Sequence, residues 1–352
     1  MRSFQVCTCG QPLQLSTQPT PKPTGSEVLL KVLAAGVCHS DLHLSDGYFD
    51  LGGGKRLSIV ERGMKLPVTL GHENVGEVVS VGPWAKGVTV GERRLVHPWM
   101  GCGECGVCLR GEEQLCLKPR SLGVFLPGGY SDHMMVPHPR YLIDIGDMPP
   151  ERVAPLACSG VTTYSALKKV GPTLTTDPVV IVGAGGLGLM CIALHKAMGG
   201  HSAIVVDIDP GKRQAALKAG AMMAIDGAAT DAAAQIVAAT KGGAWAVIDL
   251  VGSSATARLG LDSLIKGGKL IVVGLYGGDI TVSLPPFPMR AIALQGSYTG
   301  SLNDMAELIE LVKRTGLPPV PIATRPLDDV NAVLGDLRAG KVIGRVVLTP
   351  AG

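Results

Sequence analysis

The spacing of apolar residues changes along the chain. In the first half they come in short runs bounded by glycine or proline: Glu27 to Leu33 (EVLLKVL), Gly76 to Gly82 (GEVVSVG), Val90 to Pro98 (VGERRLVHP) and Tyr130 to Pro137 (YSDHMMVP). Near-alternation with β-branched residues predicts short strands joined by turns, hence an antiparallel, barrel-like unit. From about Val161 the character shifts. Continuous apolar runs at Val179 to Val182, Ala203 to Asp207, Ala244 to Asp249 and Lys269 to Val273 alternate with alanine-rich segments of helical length. That alternation predicts a parallel, doubly wound sheet, so the fold class is α/β with a β-rich partner unit.

A chain of 352 residues is long enough for two cores. The predicted division is residues 1–160, completed by 298–352, around residues 161–297. Arg345, in KVIGRVVLTP, falls in the returning strand. The proline-rich stretch from Thr315 to Asp329 reads as a loop before a last helix, Asp329 to Ala339, and the segment from Leu51 to Lys65, rich in glycine and basic residues, as a solvated loop. No internal repeat or low-complexity linker is found.

With 32 basic against 29 acidic residues and no basic run, nothing points to a nucleic-acid partner. The longest uncharged apolar stretch, Val179 to Leu194, is shorter than the ~20 residues of a membrane span and carries four glycines. The N-terminus has no secretory pattern, so the expected location is the cytoplasm. Nine cysteines in a reducing compartment point to metal before disulfides.

Three constellations carry chemistry. In LGHENVGE, His72 and Glu73 lie on a glycine-bounded turn, and Cys38 (AAGVCHSDLH) and Cys158 (APLACSGVTTY) are flanked by small residues. One imidazole and two thiolates would hold Zn²⁺ on three sides and leave a fourth position for a reactant. Asp41 is predicted to accept the other ring proton of His72. In GCGECGVCLRGEEQLC, Cys102, Cys105, Cys108 and Cys116 are separated by two, two and seven residues. Four thiolates would close a tetrahedral shell around a purely structural zinc; an iron–sulfur cluster or a redox dithiol are the rival readings. The third is the loop Gly183 to Gly188, with Gly183, Gly185 and Gly188 forming GxGxxG around Gly186 and Leu187 after an apolar strand. Asp207 follows at the end of the next strand, placed to bind ribose hydroxyls and, with Ile208 after it, to favour NAD over NADP. Cys7, Cys9 and Cys191 remain as reduced thiols.

On these motifs the sequence resembles the zinc-dependent medium-chain alcohol dehydrogenases: Gly71-His72-Glu73 followed by Gly76, Gly82 and Ala85 has the spacing of that family's zinc signature. Met64 to Glu73 and the surroundings of Cys158 resemble the tetrameric archaeal and prokaryotic type. The resemblance implies a GroES-like catalytic domain plus a Rossmann domain, two zinc ions per chain, NAD as cofactor and a homotetramer. It implies a proton relay through Ser40 and His43, against the plainer reading of a turn cap and a surface histidine. It further implies His39 and Arg345 facing the pyrophosphate, Thr162, Val251 and Leu275 at the nicotinamide, and Lys212 at the ribose; Val251 and Leu275 also suit ordinary core. Phe49 and Trp99 match pocket aromatics. Ser121 stands where relatives carry a bulky aromatic, which implies room for secondary, cyclic or aryl alcohols. The function implied is reversible NAD-linked oxidation of alcohols. The alternatives are a polyol or sugar dehydrogenase, which usually offers glutamate where this chain has Cys158, and a non-catalytic zinc- and nucleotide-binding protein.

Overall fold

A computed structural model describes residues 1–351. The first half is built around one long strand, Val28–Val37, whose side chains are buried on nearly every position. It pairs antiparallel with Glu73–Val81, with His133–Val136 and with Arg345–Thr349. Arg93–Val96 and Leu142–Asp144 extend the sheet on one side. The strand reaches four residues beyond the alternating run, through Ala34, Ala35 and Gly36. Such small residues have little strand preference of their own; here tertiary packing decides, because Gly36 lies opposite Glu73 and a β-carbon there would fall inside that carboxylate.

Two stretches differ from the sequence reading. Within the Thr315–Asp329 stretch, predicted as a loop, Ile322–Pro326 is a strand, parallel to Arg345–Thr349 at the sheet edge. An edge position tolerates its proline, and its exposed side chains gave no apolar signal. The segment from Leu51 to Lys65 is a hairpin rather than a featureless loop. Tyr48–Asp50 pairs with Arg56–Ser58, Gly52 to Gly54 supply the left-handed turn, and buried Ile59 and Met64 anchor its return.

The second unit is a six-stranded, fully parallel sheet in the spatial order Met223–Asp226, Ser202–Asp207, Pro178–Val182, Ala244–Asp249, Leu264–Val272, Ala293–Gly296. The chain order reverses between Pro178–Val182 and Ala244–Asp249. That switch point leaves a crevice at the carboxyl ends of the strands, where doubly wound sheets bind their ligands.

The helix Ser159–Val170 joins the units. Its Val161 and Leu167 share one apolar cluster with Ala34 and Val75 of the first sheet, Ile181 and Ile248 of the second, and Met305 and Leu308 of the helix Leu302–Thr315. Across the gap, the backbone of Asp279 lies 2.7 Å from where a β-carbon of Gly52 would sit, and Gly277 abuts Asp50. No helix among the described residues is long and apolar enough to cross a membrane.

Candidate metal centre and cofactor cleft

The metal cradle forms where the end of one strand, the start of another and the starts of two helices converge. Cys38 follows Val28–Val37 and caps the helix His39–Asp46; His72 sits in the turn before Glu73–Val81; Cys158 precedes Ser159–Val170. One donor atom from each of Cys38, His72, Glu73 and Cys158 lies within 4.8 Å of the others, and all four residues are buried. The Cys38 and Cys158 sulfurs are 4.0 Å apart.

Asp41 organises this cradle. Its Oδ1 lies 3.2 Å from His72 Nδ1, while its Oδ2 accepts the Cys38 amide at 3.0 Å and the Tyr130 hydroxyl at 2.7 Å. Asp41 is thus within ion-pair range of His72, as predicted, but without the predicted hydrogen bond. Tyr130, 89 residues away, was not legible because no local spacing links it to Asp41. Neither ring nitrogen of His72 has a hydrogen-bond partner despite complete burial. Burial opposes charge on this ring, yet Asp41 and then the Cys38 sulfur raise its pKa well above the ordinary value. The Cys38 thiol is held well below the usual range, chiefly by the Cys158 thiol and then by His72. An orphaned imidazole nitrogen facing two sulfurs in a buried cavity is a donor set that suits zinc.

Glu73 has a second commitment. Its Oε1 takes the guanidinium of buried Arg345 and, at 3.4 Å, the amide of Ser159. Burial pushes its carboxyl up to about 7, against the pull of Arg345. Arg345 also packs on Gly186, where a β-carbon would strike its side chain and the Gly344 carbonyl. One arginine thus touches both the metal cradle and the glycine loop.

The cofactor cleft lies beside it. Gly183 is left-handed (φ 98°), Gly185 caps the helix Gly186–Ala197, Leu187 is half-buried in its first turn, and a β-carbon on Gly188 would strike the Gly183 carbonyl. Free amides at this helix start face the crevice, as anion binding requires. Asp207 accepts the Ala184 amide at 2.7 Å and the Asp209 amide at 2.8 Å. Lys212 is on the first turn of the next helix, its amide bonded to Asp209 at 2.8 Å. Val251 and Leu275 lie on adjacent loops, tied through the Tyr276 amide to the Val251 carbonyl at 3.0 Å. Thr162 Oγ1 is buried without a partner, and His39 is exposed at the cleft.

Around the cradle, the Trp99 ring lies 5.3 Å from His72 and its Nε1 donates to the Ala157 carbonyl at 3.1 Å. Phe49 stacks on His43 at 5.1 Å, one helical turn from Ser40, whose hydroxyl is 3.8 Å from the Cys38 sulfur. Burial lowers the pKa of His43. Ser121 is buried at the head of the 121–126 turn, which rests through Gly123 on the backbone of Gly71 and His72. Tyr298, edge-on to Trp99 at 6.3 Å, is a further wall residue that sequence reasoning used only as a boundary.

The second cysteine group forms a separate lobe. Sulfurs of Cys105 and Cys108 are 3.4 Å apart, Cys105 and Cys116 3.8 Å, Cys102 and Cys108 3.9 Å. Amides of Cys102 and Lys118 point at the Cys116 sulfur, each at 3.3 Å. Glu113 moors the lobe by accepting the Gly101 amide at 3.0 Å and the Tyr141 hydroxyl at 2.7 Å and pairing with Arg140. All four sulfurs are mutually committed and none faces the cleft cradle.

A dinucleotide crevice with a three-donor metal cradle at its floor defines a metal-assisted dehydrogenase. Comparison with known proteins agrees. Residues 24–147 match the alcohol dehydrogenase GroES-like domain and residues 186–314 the zinc-binding dehydrogenase domain. The chain is 40% identical to an NAD-dependent alcohol dehydrogenase of Sulfurisphaera tokodaii, over 99% of this chain and all of the other. It is 34% identical to a D-arabinose 1-dehydrogenase (NADP(+)) of Saccharolobus solfataricus, over 97% and 95%. The crystal structure of the alcohol dehydrogenase of Aeropyrum pernix superposes with a TM-score of 0.90 at 32% identity, over 99% and 100%. The chain belongs to the zinc-binding medium-chain alcohol dehydrogenase family.

Proposed function

We propose that the chain oxidises alcohols reversibly to aldehydes or ketones, primary and secondary ones and, if the small side chain of Ser121 leaves room, cyclic or aryl ones. The observation that carries this reading is the junction of the two halves of the chemistry: Arg345 touches both Glu73 in the metal cradle and Gly186 in the glycine loop. Cys38, His72 and Cys158, with Glu73 behind them, would hold one zinc and Cys102, Cys105, Cys108 and Cys116 a second; Gly183 to Gly188, Asp207, Lys212, His39, Thr162, Val251, Leu275 and Arg345 would hold NAD. When bound, a zinc in the cleft would supply a Lewis acid for the alcohol oxygen and NAD would supply the hydride acceptor.

The remaining work belongs to side chains. Asp41, 3.2 Å from His72 Nδ1, would hold the ring proton there and leave the Nε2 lone pair for the metal. Ser40 takes the alcohol proton and hands it one turn along the helix to His43, which is neutral at working pH because burial lowers its affinity for a proton. Trp99, Phe49 and Tyr298 wall the cleft against water.

Residues 1–160 with 298–352 act as the catalytic unit and 161–297 as the cofactor unit, in a cytoplasmic homotetramer. The sugar-dehydrogenase reading is supported by the arabinose dehydrogenase relative, but that relative's name carries NADP, which Asp207 disfavours. NAD reduction with a panel of alcohols and pentoses, before and after chelation and after zinc is restored, tests the assignment; turnover surviving full metal removal would overturn it.

A further inference from the structure

A second cavity, of about 500 Å³ and open to solvent, lies where the Leu51–Lys65 hairpin segment meets the cysteine lobe. Arg62, Lys118 and Arg120 stand around it, with Phe125 and Leu126 as apolar wall, exposed Leu117 and Cys102 of the cysteine lobe at its rim, and no carboxylate lining it. Elsewhere the chain pairs many of its exposed cations: Lys168 with Asp304 and Glu307, Arg338 with Asp46, Arg2 with Asp328. Among the described residues Arg62, Lys118 and Arg120 have no ion-pair partner and no side-chain hydrogen bond. Three like charges around one apolar-walled cavity cost self-repulsion, which an anionic ligand would relieve.

One turn, residues 121–126, lies between the cavity and the metal cradle. Phe125 and Leu126 belong to the turn that rests on Gly71 and His72. Tyr298, half exposed, stands edge-on to Trp99 beside the cradle.

We propose that this cavity takes the charged end of the substrate, an alcohol whose carbon chain ends in a carboxylate or a phosphate, with Arg62, Lys118 and Arg120 binding the anion and Phe125 and Leu126 the chain. The inference rests on the alcohol dehydrogenase reading and narrows its substrate class.

Two measurements test it. With saturating NADH filling the pyrophosphate site, calorimetric titration of the zinc-loaded protein with hexanoate, hexyl phosphate and hexan-1-ol should show both anions binding about tenfold tighter than the alcohol at low salt, since each exposed cation contributes a few-fold and salt screens it. The preference should vanish in the Arg62→Gln/Arg120→Gln double variant and in 0.5 M salt, and the tighter of the two anions identifies the headgroup. In the second, kcat/KM for 6-hydroxyhexanoate relative to hexan-1-ol should fall about tenfold in the double variant. Anions that bind no tighter than hexan-1-ol overturn the pocket; anions that bind while the kcat/KM ratio stays put overturn its assignment to substrate. Failure to oxidise any alcohol would instead sink the underlying activity, a result the titration cannot produce.

Discussion

On the proposed reading cofactor choice turns on Asp207, and the perturbation to make is Asp207→Gly against Asp207→Asn. In NAD the ribose hydroxyls would donate to this carboxylate; a 2′-phosphate would set about two negative charges against it in a half-buried crevice. A hydrogen bond to a charged group is worth about 1.5–3 kcal/mol, so losing one and adding repulsion favours NAD by roughly tenfold to a hundredfold. The structure raises the lower end of that range. Arg213, the cation best placed to offset a phosphate, is already committed to the Asp207 carbonyl at 2.8 Å and to Asp226 at 3.2 Å, which leaves Lys212 alone. Asp207 also holds the Ala184 amide inside the glycine loop, so removing the whole side chain loosens the loop as well as the ribose contact. Asp207→Asn can keep only one of the two amide hydrogen bonds, to Ala184 or to Asp209, and should lose the charge and narrow the NAD preference about tenfold. Asp207→Gly should weaken both cofactors and still shift the ratio toward NADP, and adding Ile208→Arg should raise NADP use further. The assay is kcat/KM for each cofactor at fixed alcohol. Wild-type protein that uses NADP as well as NAD would refute the reasoning, because Asp207 would then not face the ribose.

Further outcomes follow from the metals, the relay and two buried histidines. Cys158→Ala should abolish turnover while NAD binding, read by fluorescence, persists; Cys105→Ala should lower the melting temperature or yield. Elemental analysis should give two zinc ions per chain, and one metal, or iron, would contradict the assignment. His43→Ala should slow alcohol oxidation most at mildly acidic pH, where bulk base is scarce, with partial rescue by imidazole buffer; an unaltered pH profile counts against the relay. Burial lowers His97 and His195 to about 4. A histidine depressed in the fold binds its proton first in the unfolded chain, so the stability it contributes is present above about pH 6.5 and is lost as pH falls toward 4. At pH 5 the loss is about 2 kcal/mol for each, measurable as a shift in denaturant midpoint, and His195→Leu should remove its share. A midpoint that does not move between pH 7.5 and 5 would show that neither ring is buried neutral.

What could be read in the sequence was what is local. The GxGxxG loop and Asp207 are separated by one helix and one strand, so their geometry follows from the doubly wound pattern itself, and the four-cysteine lobe is a single short segment. The Cys38, His72 and Cys158 set spans most of the first unit, yet each member sits in a stretch of glycine and small residues that marks close approach. The supports of these sites were not legible. Tyr130 reaches Asp41 across the barrel, Glu113 moors the cysteine lobe through Tyr141, and Arg345 meets Glu73 from the opposite end of the chain. Such contacts are set by strand register, which no run of neighbouring residues encodes. The Ile322–Pro326 strand was missed for the reverse reason: an exposed edge strand has no buried face to leave an apolar pattern.

The return of the chain to its first sheet sets an order of biosynthesis. The parallel sheet is contiguous and can close while the polypeptide is still being made, as domains do during synthesis. The first sheet cannot: Arg345–Thr349 lies inside it, between Val28–Val37 and Ile322–Pro326. Until residues 345–349 leave the ribosome, Val28–Val37 lacks its pairing with that strand and the Glu73 carboxylate waits without its arginine. The first sheet, whose central strand is made early, is thus completed only after the second sheet between its two parts has been made.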